Sequence, residues 1–168
     1  MIAIIDYGVG NLFSLRRSLE AVGQEVLVTG EAEELRRADR LILPGVGAFA
    51  DAAAKLRESR LGEAVAREAA GGKPLLGICL GMQLLFEKSY EFGEHLGLGL
   101  IPGVIRPIAE AIPQGLKIPH IGWNGLLFPK DRPRHPLVAG VSPGDCVYFV
   151  HSFSAVNCGE SVRPAGQM

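Results

Sequence analysis

The feature that most constrains the fold is an alternation that fills the first half of the chain. Short apolar runs at Ile2 to Ile5, Val26 to Val28, Arg40 to Leu43 and Leu75 to Ile78 are separated by stretches of helical periodicity. An all-apolar run of four or five residues suits a strand buried on both faces, as in a parallel sheet. Between the first two runs, Leu12, Leu15, Leu19 and Val22 recur at helical spacing, with Arg16, Arg17 and Glu20 interleaved and Gly23 as the stop. Ala32 to Arg37 predicts a short helix. Ala48 to Arg57 and Leu61 to Ala70 predict two more, the second broken by Gly71-Gly72, and Leu80 to Glu87 predicts a further helix after the fourth run. Strands alternating with helices predict an α/β fold with a doubly wound, mostly parallel sheet.

After Ser89 the character changes. Gly, Pro and short β-rich runs dominate, at Leu98 to Ile101, Val104 to Ile108, Ile118 to Ile121 and Val147 to Val150. These predict antiparallel strands and long loops added to the sheet. No internal repeat, low-complexity linker or convincing domain boundary is present, so residues 1–168 read as a single domain, and Arg163 to Met168 carry no strand or helix pattern. A chain of 168 residues with 48% apolar and 21% charged side chains can bury a sizeable core. Its net charge of −1 gives no footprint for nucleic acid or an anionic membrane surface. No apolar run approaches the ~20 residues of a membrane helix. Met1 to Asp6 has neither a basic leader nor a small-residue cleavage site, and the three cysteines lack metal-ligand spacing. A reducing, cytoplasmic setting with free thiols is expected.

The strongest chemical signal is Gly77-Ile78-Cys79-Leu80-Gly81-Met82-Gln83. An apolar strand runs into a helix with a nucleophile at the junction and a glycine two positions to either side, the thiol counterpart of the Gly-x-Ser-x-Gly elbow. A helix starting after Cys79 would favour the thiolate, and the Leu80 amide would be placed to donate to an oxyanion. The alternative is a small buried cysteine in a tight turn. Cys146 and Cys158 lack this setting and are expected to be structural. A second signal, Pro44-Gly45-Val46-Gly47, follows another predicted strand at its carboxyl end, where open α/β sheets bind ligands. Its backbone could approach a substrate closely, or it could be only a tight turn. A third, Asp6-Tyr7-Gly8-Val9-Gly10-Asn11, fails as a dinucleotide fingerprint because Phe13 stands where the third glycine belongs. It reads as a polar loop shaping a site or an interface. Of the four histidines, His95 and His135 read as surface residues, and His120 has no acid after it. His151 ends the apolar run Val147 to Val150 and is the candidate base, or else a strand-end residue shaping a pocket.

Taken together, these segments resemble the class I glutamine amidotransferases. The Gly77 to Gly81 elbow carries that likeness. The Asp6 to Leu12 loop, Pro44 to Gly47, Lys117 to Asn124 and Tyr148 to Phe153 narrow it to the glutaminase subunit of imidazole glycerol phosphate synthase. The resemblance implies a flavodoxin-like sheet with added antiparallel strands, and hydrolysis of glutamine to glutamate and ammonia. The ammonia would pass to a cyclase partner subunit in histidine biosynthesis. It implies Cys79 as nucleophile, with Leu80, Val46 and Gly47 giving oxyanion-hole amides. Gly47, Gln83, His151, Ser152 and Phe153 would bind glutamine, and Asn11, Trp123 and Tyr148 would face the cyclase. No metal or organic cofactor is implied. The family also places its general base in a His-Pro-Glu motif near the C-terminus, which these 168 residues do not contain; His135-Pro136 is followed by Leu137. With the resemblance stopping near Val162, the expectation is a truncated or frameshifted copy. Such a chain would be a poor glutaminase of low stability that could still bind the cyclase.

Overall fold

A computed structural model describes residues 1–128 and 133–162. Arg163 to Met168, read above as patternless, lie outside the described residues. Four parallel strands form the first sheet: β1 (Ile2–Ile5), β2 (Val26–Thr29), β3 (Arg40–Leu43) and β4 (Leu75–Gly77), in the order β2-β1-β3-β4. Ile4 sits opposite both Val28 and Ile42, and Ile42 opposite Leu76. The helices are α1 (Leu12–Ala21), α2 (Ala32–Arg37), α3 (Phe49–Glu58) and α4 (Leu61–Ala70).

Side chains alternate across a strand, so each face of this sheet has its own cover. Ala3, Ile5, Leu41 and Leu43 face the larger core, closed by Leu35 of α2, Phe49, Ala52 and Leu56 of α3, and Leu61 and Val65 of α4. Ile2, Ile4 and Ile42 face α1, through Leu12, Leu15 and Leu19. Helices on both faces make the sheet doubly wound, as the alternation predicts.

The rest of the chain departs from its sequence reading in three ways. The predicted helix over Leu80 to Glu87 is a single turn, α5 (Leu80–Gln83), followed by a strand, β5 (Phe86–Ser89). Tertiary pairing overrides helix continuation here. The carbonyls of Leu84, Leu85 and Phe86 accept from the N–H groups of Leu98, Leu100, Ile101 and Gly99, and a Cβ on Gly97 would overlap the Phe86 carbonyl. Leu84, Leu85 and Phe86 are all buried, so the apolar run ends in a sheet. Second, the later strands are not added to the first sheet. β5, β6 (His95–Leu96), β7 (Ile101–Pro107) and β10 (Phe153–Val156) form a second sheet, ordered β10-β7-β5-β6, in which β5 and β7 run parallel and the other pairs antiparallel. β8 (His120–Gly125) and β9 (Cys146–His151) form a separate antiparallel ribbon. Leu98 to Leu100 are irregular, and Val104 to Pro107 belong to the longer β7. Third, β4 is an edge strand rather than a fully buried one, with Leu76 40% exposed, because α1 covers the β1–β3 part of that face.

Candidate active site

The elbow is built by exclusion. Ile78 N–H donates to the Leu43 carbonyl at 3.0 Å, which carries the chain one step past β4 alongside β3. The next residue, Cys79, adopts φ 55° and ψ −116°, a conformation that L-residues rarely hold and that costs on the order of 1–3 kcal/mol. The glycines around it leave no room for side chains. A Cβ on Gly81 would overlap the Leu43 carbonyl oxygen, one on Gly45 would overlap Gly81 N, and one on Gly77 would lie 2.5 Å from Met82 Cα. Backbone from two strand ends is thus locked together under the nucleophile. Cys79 itself is free and exposed, which rejects the buried-cysteine alternative. Because α5 is one turn long, its end offers local N–H groups to the site rather than a macrodipole.

Cys79 opens into a cleft of about 400 Å³ lined by Val46, Gly47, Leu80, Gln83, Glu91, Pro119 and Val150 to Phe153. Every residue predicted for catalysis or glutamine binding therefore lies on this one cleft. The N–H groups of Val46, Gly47 and Leu80 have no acceptor among the described residues. Unpaired amides around a nucleophile are the donor set that a developing oxyanion requires. Gly47 holds φ 90°, which a side chain would strain. Larger cavities lie elsewhere: about 660 Å³ beside His120 and Lys117, and about 440 Å³ between α3, α4 and Leu96 to Leu98; neither is lined by a nucleophilic cysteine.

Two further residues bear on the cleft. Glu91 was missed in the sequence because it sits outside every motif. Its Oε2 accepts from Phe49 N–H at 2.9 Å, at the start of α3, and Oε1 takes no hydrogen bond among the described residues. His151 faces the cleft from the ribbon's end. Its Nδ1 lies 3.0 Å from the Phe153 carbonyl, which can only accept, so the neutral ring carries its proton on Nδ1. Nε2 is left as a buried lone pair with no partner. No described hydrogen bond joins His151 to Cys79. His120 is occupied differently, with Nε2 on Asn124 Oδ1 at 3.0 Å. His135 caps a 3-10 turn by accepting from Leu137 N–H, and Cys146 and Cys158 are exposed rather than structural core.

The residues expected at a partner surface are exposed. Trp123 and Tyr148 are directly opposite across the ribbon, with ring centroids 5.6 Å apart, and share a face with the pair Ile121 and Val150. Trp123 is 70% exposed. Asn11 is exposed too, but its Oδ1 is engaged as the α1 cap, accepting from Ser14 N–H at 3.1 Å.

The chain that carries this site is similar to known proteins in sequence and in fold. The glutamine amidotransferase class-I family model covers residues 3–166. The imidazole glycerol phosphate synthase subunit HisH of Aquifex aeolicus is 52% identical over 160 residues, spanning 95% of this chain and 74% of that protein. The HisH subunit of Wolinella succinogenes is 52% identical over 157 residues, spanning 93% and 75%. The chain belongs to the class-I glutamine amidotransferases, in their HisH branch. The fold agrees: a crystal structure of a glutamine amidotransferase superposes with a TM-score of 0.76 over 99% of this chain and 79% of that one, at 18% identity. The PurLQS structure from Thermotoga maritima gives 0.65 over 95% and 70%, at 23% identity. This amidotransferase chain thus spans about three quarters of the length of its HisH relatives. The family match runs to residue 166, past Val162, where the motif-level resemblance stops.

Proposed function

We propose that the Cys79 cleft is a glutaminase site: the glutamine-hydrolysing subunit of an imidazole glycerol phosphate synthase, working in the cytoplasm in histidine biosynthesis as a single domain. The observation that carries this is the convergence of an exposed, strained cysteine and three unpaired amides on one cleft of substrate size. Cys79 Sγ attacks the γ-carboxamide carbon of glutamine, and the carbonyl electron pair moves onto oxygen. Leu80 N–H with Val46 or Gly47 N–H stabilises that oxyanion. On collapse the C–N bond breaks, the leaving nitrogen takes the proton that the Cys79 thiol gave up and departs as ammonia, and a γ-glutamyl thioester remains. Water then cleaves the thioester to glutamate. Gln83 and the His151 to Phe153 backbone hold the amino-acid end of the substrate. Glu91, with one carboxylate oxygen unengaged, suits its ammonium group.

These steps need an imidazole near Sγ, and His151 is not hydrogen-bonded there. The 168 residues also contain no His-Pro-Glu. What the described residues supply is the nucleophile, the oxyanion amides and the glutamine subsite; the imidazole is the part of the triad that none of their hydrogen bonds provides. The ribbon face formed by Ile121, Trp123, Tyr148 and Val150, together with the exposed Asn11 at the start of α1, is the surface proposed for the cyclase subunit. The second reading, a chain that binds the cyclase without recognising glutamine, draws on the same exposed face.

Labelling by 6-diazo-5-oxo-L-norleucine separates the two. The glutaminase reading expects one label per chain, on Cys79, blocked by excess glutamine and lost in Cys79→Ala. Labelling that survives Cys79→Ala, or that glutamine does not slow, leaves only the binding reading.

A further inference from the structure

The loop after β1 is the one motif that the cleft does not absorb, and it reaches the oxyanion loop from behind. Tyr7 is 5% exposed, and its hydroxyl donates to the Pro44 carbonyl at 2.8 Å, across 37 residues of sequence. Gly10 packs on the Pro44 ring; a Cβ there would lie 3.0 Å from Pro44 Cβ. The loop that carries Tyr7 is itself pinned, by Gly8 N–H on Asp6 Oδ1 at 3.0 Å and by Lys55 Nζ on the Gly8 carbonyl at 3.1 Å.

We propose that Tyr7 is a positioning residue for the oxyanion hole: its buried hydroxyl fixes the Pro44 carbonyl and so fixes the course of the loop that carries the Val46 and Gly47 amides beside Cys79. This rests on the glutaminase reading above. Proline has no N–H, so the Pro44 carbonyl is that residue's only backbone polar handle. Because the peptide is planar, the direction of that oxygen sets the plane entering Gly45. Gly45 has its inner side against Leu80 and Gly81, with no space for a Cβ, so it can neither shift inward nor be replaced. Beyond it, Val46 is 57% exposed and Gly47 sits at positive φ. Among the described residues, the Tyr7 contact is the sole hydrogen bond made by any residue from Pro44 to Gly47. Burial raises the Tyr7 pKa above the ordinary phenol value, so the hydroxyl stays a donor at any working pH. Tyr7 does not line the Cys79 cleft, which excludes a direct acid or base role.

The test compares two alkylating agents on the wild-type chain and on Tyr7→Phe, which keeps the ring and removes the donor. L-2-Amino-4-oxo-5-chloropentanoic acid is a glutamine-shaped chloroketone. Cys79 Sγ displaces its chloride to form a thioether while charge builds on the neighbouring ketone oxygen. Iodoacetamide alkylates the same sulfur with loss of iodide and makes no use of the substrate subsite. Tyr7→Phe is expected to lower the maximal inactivation rate by the chloroketone about 10- to 100-fold, leaving its half-saturation concentration unchanged. The iodoacetamide rate should stay within about twofold, and near-ultraviolet circular dichroism should be unaltered. A chloroketone rate within twofold of wild type overturns the Tyr7 proposal alone. So does an equal fall with both reagents, which marks general loosening. A wild-type reaction that neither saturates nor is slowed by glutamine overturns the glutaminase reading and this proposal with it.

Discussion

The two walls of the Cys79 cleft are made in opposite ways. One wall is the elbow and the Pro44 to Gly47 loop, where backbone packs on backbone so closely that Gly45, Gly77 and Gly81 admit no Cβ. The other is the His151 to Phe153 turn, between the two-stranded β8–β9 ribbon and β10. It is tied to the second sheet by Ile108 N–H on the Ser152 carbonyl, 2.9 Å, and by the pairing of β10 with β7. An isolated two-stranded ribbon is marginal by itself. The geometry that must be exact for chemistry is thus held by sterics, with the Tyr7 hydrogen bond fixing the loop end, and the geometry that must receive a substrate is held by hydrogen bonds of the backbone and of the His151 ring. The ribbon beside that wall also carries the exposed apolar face of Ile121, Trp123, Tyr148 and Val150.

The largest expected effect tests whether chemistry belongs to the rigid wall. Cys79→Ala should abolish labelling by glutamine-derived electrophiles while leaving the fold intact, since the described residues give Cys79 Sγ no hydrogen bond. A retained label in mass spectra of tryptic fragments would move the nucleophile elsewhere. Next, Gly81→Ala should cost about 3 kcal/mol or more, because the added methyl meets the Leu43 carbonyl, a backbone atom that cannot swing aside. A urea melt reads this directly. A midpoint close to wild type would show that the interlock is slack and the contrast between the walls false.

The rigid wall was also the legible one. Gly-x-Cys-x-Gly is a local pattern, and its steric meaning can be read from five consecutive residues. The four parallel strands were equally legible, because runs such as Ile2 to Ile5 are apolar on both faces. The second sheet that backs the other wall was not legible. β5 follows a one-turn α5 because Gly97 to Ile101 return to pair with Leu84 to Phe86, a contact that no window of sequence contains. β10 (Phe153–Val156) was missed because it is defined by its partner β7 rather than by its own alternation. Glu91 escaped for the same reason: it meets Phe49 N–H from 42 residues away. Motif resemblance recovered His151, Ser152 and Phe153 as cleft residues where physical patterning alone singled out only His151.

Two predictions sharpen the other side. Trp123→Ala should weaken association with the cyclase subunit of a HisH-containing synthase about 10- to 100-fold, as loss of an exposed aromatic anchor does. With Trp123 70% exposed, it should leave the melting temperature almost unmoved. Titration calorimetry gives the first number and a thermal scan the second; unchanged affinity would move the partner off the ribbon. Glu91→Gln should weaken glutamine protection of Cys79 about tenfold, the scale of one charge-assisted hydrogen bond. The amide oxygen can still accept from Phe49 N–H. If protection is unchanged, Glu91 is a cap on α3 and nothing more.

The smallest effect has the opposite sign and separates strain from packing within the rigid wall itself. Cys79 holds φ 55° and ψ −116° although it carries a Cβ, whereas its neighbours Gly77 and Gly81 need their missing side chains for space. Cys79→Gly removes the backbone penalty and, at an exposed position, forfeits little burial. Glycine also adds freedom to the unfolded chain, at roughly 0.5–1 kcal/mol, which offsets part of the gain. The balance should be a stabilisation of about 1 kcal/mol relative to Cys79→Ala, which shares the strain and likewise lacks the thiol. Paired urea melts of the two variants measure it. A Gly variant no more stable than the Ala variant would mean that the elbow carries no conformational strain at Cys79. The fixed position of the sulfur would then be owed entirely to the packing of Gly45 and Gly81 beneath it.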